Sequence, residues 1–233
     1  MSVICARSHG VCLKFVDYVY FYLINRVVHY DIIDNLHPMR NLLYTLLFLL
    51  LASPMCAQVV TTKGTDFWVG FMQNYQTFYQ RDRGERLSVY ISSQVATSGT
   101  VSIPLQGWSR NFNVGANATV EIQLPEAQVI MEGSDVTQNN GVRVTSKDPV
   151  NVFAINYLVN SEDATVVLPK QTLREEYYVM SHNERRQFVS EFIVVGVEDN
   201  TEIEITPPRG ANIMGGHPPQ VPYTIRLNAG QVY

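Results

Sequence analysis

The stretch PVNVFAINYLVNSEDATVVLP, residues 149–169, decides the fold class because it joins two apolar runs through a short polar cluster. Side chains alternate between the two faces of a β-strand. Even-numbered residues from Val150 to Leu158 therefore share one face, and odd-numbered residues from Asn151 to Val159 share the other. Both faces are apolar, which predicts a central strand covered on both sides.

The polar cluster inside this stretch raises the question of a ligand site. Residues 160–163, Asn-Ser-Glu-Asp, follow the first strand, and residues 164–168 are predicted to return beside it. The cluster is therefore interpreted as a loop between two strands. Asn156 is the one polar residue on an otherwise apolar strand face. Because an unpaired buried polar group costs roughly 1–3 kcal/mol, we expect Asn156 to be buried and hydrogen-bonded.

The same two-residue period runs through the chain from residue 58 onward. Four further segments alternate apolar and polar residues: LSVYISS at 87–93, ATVEIQLP at 118–125, TEIEITPP at 201–208 and YTIRL at 223–227. Proline or glycine separates such segments at intervals of about ten residues, and no window carries the apolar stripe of a helix. These features predict an all-β fold with an antiparallel, sandwich-like architecture. Two small β modules are the alternative.

The segment EFIVVGVEDNTEIEITP predicts the clearest hairpin, with strands at 192–197 and 201–206. Glu198, Asp199 and Asn200 would form its loop, since Asn200 tolerates the left-handed conformation that such loops need. The two adjacent carboxylates suggest a metal site as an alternative. Calcium takes six or more oxygen ligands, so the turn is the preferred interpretation.

The N-terminal region has the layout of an exported precursor. Residues 39–57 combine a basic start, an apolar stretch and small residues near the end, which is typical of a secretory signal peptide. The apolar stretch is about half of the roughly 20 residues that span a bilayer; a buried core helix is the alternative. Cleavage is expected between Ala57 and Gln58. Because a signal peptide begins a protein, Met39 is the expected start and residues 1–38 a mis-assigned upstream extension.

Cysteine usage follows from this cleavage. All three cysteines, Cys5, Cys12 and Cys56, precede the expected cut, so the mature part has no disulfide and no thiolate metal site. A lipid anchor on Cys56 is an alternative, but the sequence SPMC lacks the usual small residue before a lipid-bearing cysteine. A cysteine-free exported domain favours a bacterial source.

Charge and residue spacing argue against several classes of function. The net charge is −4, and no long basic run is present, so a nucleic-acid partner is not expected. The mature part has two histidines, His182 and His217. His182 follows Ser181, and neighbouring strand residues point to opposite faces, so the two are no ready nucleophile and base. We therefore do not expect an enzyme, and we expect no catalytic, cofactor-binding or metal-binding residues. A secreted hydrolase is the weakest alternative.

The order of several motifs resembles the IgGFc-binding protein N-terminal domain family. The resemblance covers residues 63–233 and rests on KGTDFWVGFMQN, DPVNVFAINYLVNSEDATVVLP and EFIVVGVEDNTEIEITP together. It implies an extracellular β-rich module without catalytic residues, some members of the family being associated with the Fc part of immunoglobulin G. Members of the family usually continue beyond a segment like YTIRLNAGQVY. The chain is therefore expected to be a fragment, with residues 223–232 unpaired or partly paired.

These observations predict a secreted or cell-surface binding or adhesion module at residues 58–233. The ligand would be a protein or glycan, for example from a host, and no transmembrane span is expected in the mature part. A purely structural β module of a larger secreted protein is the alternative. Two features are candidates for ligand contact: the aromatic patch of Tyr75, Phe78 and Tyr79, and the loop at 207–222, which contains five prolines and three glycines.

Overall fold

The architecture is taken from a computed structural model. It describes residues 3–6, 61–74, 86–158, 161–180, 191–210 and 215–233. The chain divides into two compact units, one of residues 1–14 and 61–233 and the other of residues 15–60. All described residues belong to the first unit. The expected signal peptide and its cleavage site at Ala57 and Gln58 lie outside the described residues and stay predictions.

The described residues are mostly β-strands, which confirms the predicted all-β class. The strands are β1 Val3–Ala6, β2 Gly64–Val69, β3 Phe71–Met72, β4 Arg86–Ser93, β5 Thr97–Ile103, β6 Trp108–Val114, β7 Ala118–Gln123, β8 Ile130–Met131, β9 Val142–Leu158, β10 Ser161–Val167, β11 Ile193–Gly196, β12 Thr201–Ile205 and β13 Tyr223–Leu227. One short helix, α1, spans Glu126–Val129, and 3-10 turns span Pro104–Gln106 and Lys170–Thr172. None of the described helices has the length and apolar character needed to cross a bilayer.

Strand β9, 17 residues long, organises the main sheet because it belongs to two layers. Its first half pairs with β2 and β5, and β6 extends this layer beyond β5. Its second half pairs with β10 and β4, and β7 extends that layer beyond β4. All of these pairings are antiparallel. The outer strands β6 and β7 approach each other, so the sheet nearly closes into a barrel. We call the two halves the β5 layer and the β4 layer.

The space between the two layers is filled by the inward residues that the alternation predicts. Leu87, Val89 and Ile91 of β4 are fully buried, as are Val150 and Val152 of β9. They pack with side chains from the other strands of both layers into one apolar cluster. Burial of each such side chain stabilises the fold by roughly 1.5–3 kcal/mol. The side chains of this core are largely those that the two-residue alternation predicts to face inward.

The structure corrects two expectations about residues 149–169. The outer face of β9 is not covered, since Phe153 and Tyr157 are 38% and 42% exposed. Neighbouring strands flank β9 within its own layer, and no described element packs over this face. The loop is also shorter than predicted, because β10 begins at Ser161 and places Glu162 opposite Tyr157. Glu162 and Asp163 are therefore strand residues.

The expectation for Asn156 is confirmed. Its side chain is 4% exposed, and its Nδ2 donates a hydrogen bond to the carbonyl oxygen of Met72 at 3.2 Å. Met72 ends the short strand β3. The amide therefore connects β9 to the chain segment that follows β2.

The predicted hairpin at 192–206 is wrong, although its turn is correct. Strands β11 and β12 do not pair with each other: β11 pairs in parallel with β1, and β12 pairs with β13. Asn200 has a φ of +56°, as the turn requires. The residues of a turn determine how the chain bends locally, but they do not determine with which other strand each flanking strand pairs. Here the C-terminal residues pair with both β11 and β12.

The C-terminal segment is more extensively paired than its sequence suggests. Residues 223–227 pair with β12 along one edge. Tyr233 then exchanges two backbone hydrogen bonds with Val194 of β11, at 2.8 and 2.9 Å, and Val232 is fully buried. Val232 packs with Trp68 and Ile193 in a second apolar cluster. Residues 223–233 are therefore an integral part of the described fold.

Candidate functional site

The exposed side of the β4 layer carries a contiguous row of apolar side chains. Cross-strand register places Phe153 of β9 between Tyr90 of β4 and Val166 of β10. Ile155 lies one position along the same face of β9, and Tyr157 follows it. Directly opposed residues on neighbouring strands have Cβ atoms about 5 Å apart, so these side chains form one surface. We call Tyr90, Phe153, Ile155, Tyr157 and Val166 the aromatic face.

The exposure of the aromatic face is unusual for a sandwich, in which outward residues are polar. Val166 is 44% exposed, comparable to Phe153 and Tyr157. The outer side of the β5 layer provides the comparison within the same molecule. Its outward residues on β5 and β6 are all polar: Ser98, Thr100, Ser102, Ser109, Asn111 and Asn113. The aromatic face is therefore a feature of one layer and not of the whole surface.

A charged cluster borders the aromatic face on the side of β7. The Nε of Arg86 donates to Oε1 of Glu121 at 3.1 Å, and the Ser88 hydroxyl donates to the same oxygen at 2.7 Å. The hydrogen bond from Arg86, and after it the bond from Ser88, lowers the pKa of the Glu121 carboxyl below its usual range. Burial, followed by the bond to Glu121, raises the pKa of Tyr90. Glu121 is therefore ionised and Tyr90 neutral at physiological pH.

The register also places Arg86 opposite Tyr157. The guanidinium thus lies at the boundary between the charged cluster and the aromatic side chains. Exposed apolar patches with a polar rim are typical of interaction surfaces, and Tyr and Arg are enriched among the residues that dominate binding energy. The arrangement suits contact with a second macromolecule better than a chemical reaction.

The structure describes only some of the candidate residues that the sequence suggested. Tyr75, Phe78, Tyr79 and His182 lie outside the described residues, so their roles stay predictions. The aromatic face was missed by the sequence analysis, which expected residues 153 and 157 to be covered. The sequence signal for this face was the pair of aromatic residues Phe153 and Tyr157, which are four positions apart on the same strand face. That pattern alone does not distinguish a covered face from an exposed one.

The carboxylates of Glu198 and Asp199 connect the turn at residues 198–200 to other parts of the chain. Oδ1 of Asp199 accepts a hydrogen bond from the backbone N–H of Ala229 at 3.1 Å, and Glu198 forms an ion pair with Lys170 at 3.4 Å. No group of three or more metal-ligating side chains comes together within the described parts of the chain. The turn interpretation therefore accounts for both carboxylates.

A second polar cluster joins the described part of the 207–222 loop to the rest of the domain. Oδ1 of Asp135 accepts a hydrogen bond from the Tyr233 hydroxyl and lies 3.0 Å from Nε2 of His217. The His217 ring stacks on Tyr223 with centroids 3.6 Å apart. Where the structure describes the chain, no serine, threonine or cysteine side chain is bonded to His217. The described contacts of the Asp–His pair, to Tyr233 and Tyr223, hold the loop against the rest of the domain.

Asp135 makes stability depend on pH in a defined direction. Hydrogen bonds from Tyr233 and then His217 lower the pKa of its carboxyl. A lowered folded-state pKa stabilises the fold above the unfolded pKa of about 4, and this contribution is lost as the pH falls through the folded value. We therefore expect Asp135→Asn to lower Tm at pH 7 and to have a smaller effect at pH 3.

Thermal unfolding of the wild type and the variant at both pH values checks this expectation. Asp163→Asn is the matched control, because Asp163 is exposed on β10 and has no side-chain partner among the described residues. An Asp135→Asn effect that is equally large at pH 3 and pH 7 would contradict the assignment to an ionised carboxylate.

The fold and its exposed surfaces define an all-β, sandwich-like module with one apolar outer face. Residues 163–233 match the family model described as IgGFc binding protein. The resemblance inferred from the sequence is thereby confirmed for this C-terminal part, which contains most of β10 and the whole of β11, β12 and β13. No curated protein and no solved structure matches the chain. The bacterial source and the truncation stay predictions.

Proposed function

We propose that the chain is a non-catalytic, exported binding module that docks a protein partner on its aromatic face. The observation that carries the proposal is the contrast between the two layers of one sandwich. On β5 and β6 the outward residues of the β5 layer are polar, whereas the β4 layer exposes Phe153, Tyr157 and Val166. Exposing these side chains without a partner forgoes the free energy that their burial would supply.

The composition of the face favours a protein over a glycan. Aliphatic Ile155 and Val166 lie beside the rings, and such side chains suit an apolar protein surface. A glycan needs free hydrogen-bonding groups beside the rings, but Arg86 and Glu121 already bond to each other. The matched family description supports a protein ligand as well. We therefore propose the Fc part of immunoglobulin G as the first ligand to test.

The expected export agrees with this function, since such a ligand is found outside cells. The expected signal peptide at residues 39–57 supplies the route, and the mature part would then be secreted or held at the cell surface. A purely structural module is the second candidate. It would use the same apolar face to pack against a neighbouring domain of a larger protein.

The double variant Phe153→Ser/Tyr157→Ser tests the proposal. With immobilised Fc and the full 233-residue chain, we expect the variant to bind at least about tenfold more weakly, since a central aromatic contact is worth about 2 kcal/mol. Thr100→Ala/Asn111→Ala is the matched control on the outer side of the β5 layer. It should leave the affinity unchanged.

Thermal unfolding and sedimentation of the same variants separate the alternatives. We expect the double variant to keep the wild-type Tm, because neither ring lies in the core. Unchanged Fc affinity would exclude the aromatic face as its docking site. Failure of the wild type to bind Fc, combined with an unchanged Tm in the variant, would favour packing against a neighbouring domain. A dimer that the variant dissolves would assign the face to self-association instead.

A further inference from the structure

A separate cleft lies where the edges of the two layers come together. It has a volume of about 350 Å³ and is formed by the start of β6 and the end of β7, together with the two residues that follow β7. Its lining consists of Trp108, Ser109, Arg110, Gln123, Leu124 and Pro125. Small-molecule sites in proteins begin at about 300 Å³, so this solvent-open cleft lies at the small end of that range.

The walls of the cleft are held by the main fold. Trp108 lies opposite Ile103 in the β5–β6 pair and packs against the main apolar cluster. Leu124 is buried, and its backbone N–H donates to the carbonyl oxygen of Leu87 at 2.9 Å. Trp108 and Leu124 are thus held by strand pairing and core packing, as the walls of a pre-organised site require.

The lining residues combine one aromatic side chain with groups that donate hydrogen bonds. Trp108 is half-buried, while Ser109, Arg110 and Gln123 are exposed. An indole offers a flat apolar surface on which the C–H face of a pyranose ring can rest. Arg110 lies two positions along the same strand face as Trp108, and a planar guanidinium binds a carboxylate through two hydrogen bonds.

The positive charge of Arg110 favours an anionic saccharide over a neutral one. Arg110 makes no ion pair with any residue that the structure describes, and none of the described residues that line the cleft is an aspartate or a glutamate. The cleft is therefore locally cationic on a chain whose net charge is −4. A neutral sugar would leave this guanidinium without a counter-charge, whereas a carboxylate would supply one.

We propose that this cleft binds a pyranose that carries a carboxylate, as in the acidic residues of glycans. Arg110 would bind the carboxylate and Trp108 the ring, since the two lie on the same face of β6, opposite Val101 and Ile103. The site uses none of the residues of the aromatic face. It therefore adds a second kind of ligand to a protein-binding module and does not depend on Fc binding.

Tryptophan fluorescence tests the proposal on the full-length chain, which has two tryptophans. Glucuronic acid and N-acetylneuraminic acid are titrated separately, since both carry the required group, and glucose is the neutral comparison. We expect saturable quenching by at least one acid with a Kd in the millimolar range. Glucose should bind at least about tenfold more weakly, a difference of 1.4 kcal/mol.

Two variants locate the site. Arg110→Gln should weaken acid binding at least about tenfold and leave Tm unchanged, because Arg110 is exposed. Arg226→Gln removes an exposed arginine from β13 and should have no effect on binding. The proposal is overturned if neither acid gives saturable quenching, if Arg110→Gln binds like the wild type, or if glucose binds as tightly as the acids.

Discussion

Replacing Asn156 by aspartate is expected to lower the free energy of unfolding at pH 7 by about 3 kcal/mol or more, although the two side chains have the same shape. Asn156 is 4% exposed and donates through Nδ2 to the carbonyl oxygen of Met72. The new carboxylate cannot donate when ionised and would face that oxygen. Burying an ion without a partner costs several kcal/mol. For a chain of this size the corresponding fall in Tm is roughly 6–12 °C.

The pH dependence of Asn156→Asp has a definite sign. Burial beside a carbonyl oxygen raises the pKa of the new carboxyl in the folded state above its unfolded value of about 3.9. The destabilisation should therefore grow as the pH rises above about 4 and shrink below it. Urea unfolding between pH 3 and pH 7 measures this change.

Asn151→Asp is the matched control for this prediction. Asn151 lies on the opposite face of β9, and its Oδ1 accepts from the Thr62 hydroxyl at 2.9 Å, which a carboxylate also accepts. It should change stability by no more than about 0.5 kcal/mol. Equal effects of the two substitutions would show that the site around Asn156 admits water.

Replacing Gly99 by alanine is expected to destabilise the fold by about 3 kcal/mol or more. Gly99 lies in β5, between β9 and β6, where it faces Phe112. A Cβ at this position would lie 2.0 Å from the carbonyl oxygen of Thr145 and 2.6 Å from the Phe112 ring. Overpacking of this kind costs 1–3 kcal/mol or more, and a backbone atom of a central strand has little freedom to move.

Gly115→Ala supplies the comparison for Gly99→Ala. Its nearest neighbour is Cβ of Ala118 at 3.7 Å, so the same added methyl group meets only ordinary contact. We expect a change within about 0.5 kcal/mol. Urea unfolding of both variants checks the pair, and a Gly99→Ala protein as stable as the wild type would mean that β5 and β9 lie farther apart than described.

The strands and their inward faces could be predicted because they depend on local geometry. Leu87, Val89 and Ile91 alternate with polar residues, and this period of two allows only one set to face the core. The burial of Asn156 followed from the same pattern, since it shares a face with Val150 and Val152. These predictions needed no knowledge of which strands pair.

The predictions that failed all depended on distant parts of the chain. The residues at 192–206 contain a correct turn, yet β11 and β12 pair with β1 and β13 instead of with each other. Phe153 and Tyr157 look like core residues in the sequence, yet no described element covers them. The cleft beside Trp108 and Arg110 joins segments whose proximity no local pattern indicates.

The sequence by itself determined that this protein is built mainly from antiparallel strands, and it determined the inward-facing side chains of strands such as β4 and β7. Both follow from the alternation of side chains, which backbone geometry sets within a few residues. Only the tertiary structure decided that β9 serves two layers, that one layer exposes an aromatic face, and that Trp108 and Arg110 of β6 lie beside the end of β7. Strand pairing and surface coverage depend on contacts between residues that are far apart in the chain. The local alternation of apolar and polar side chains therefore does not indicate them.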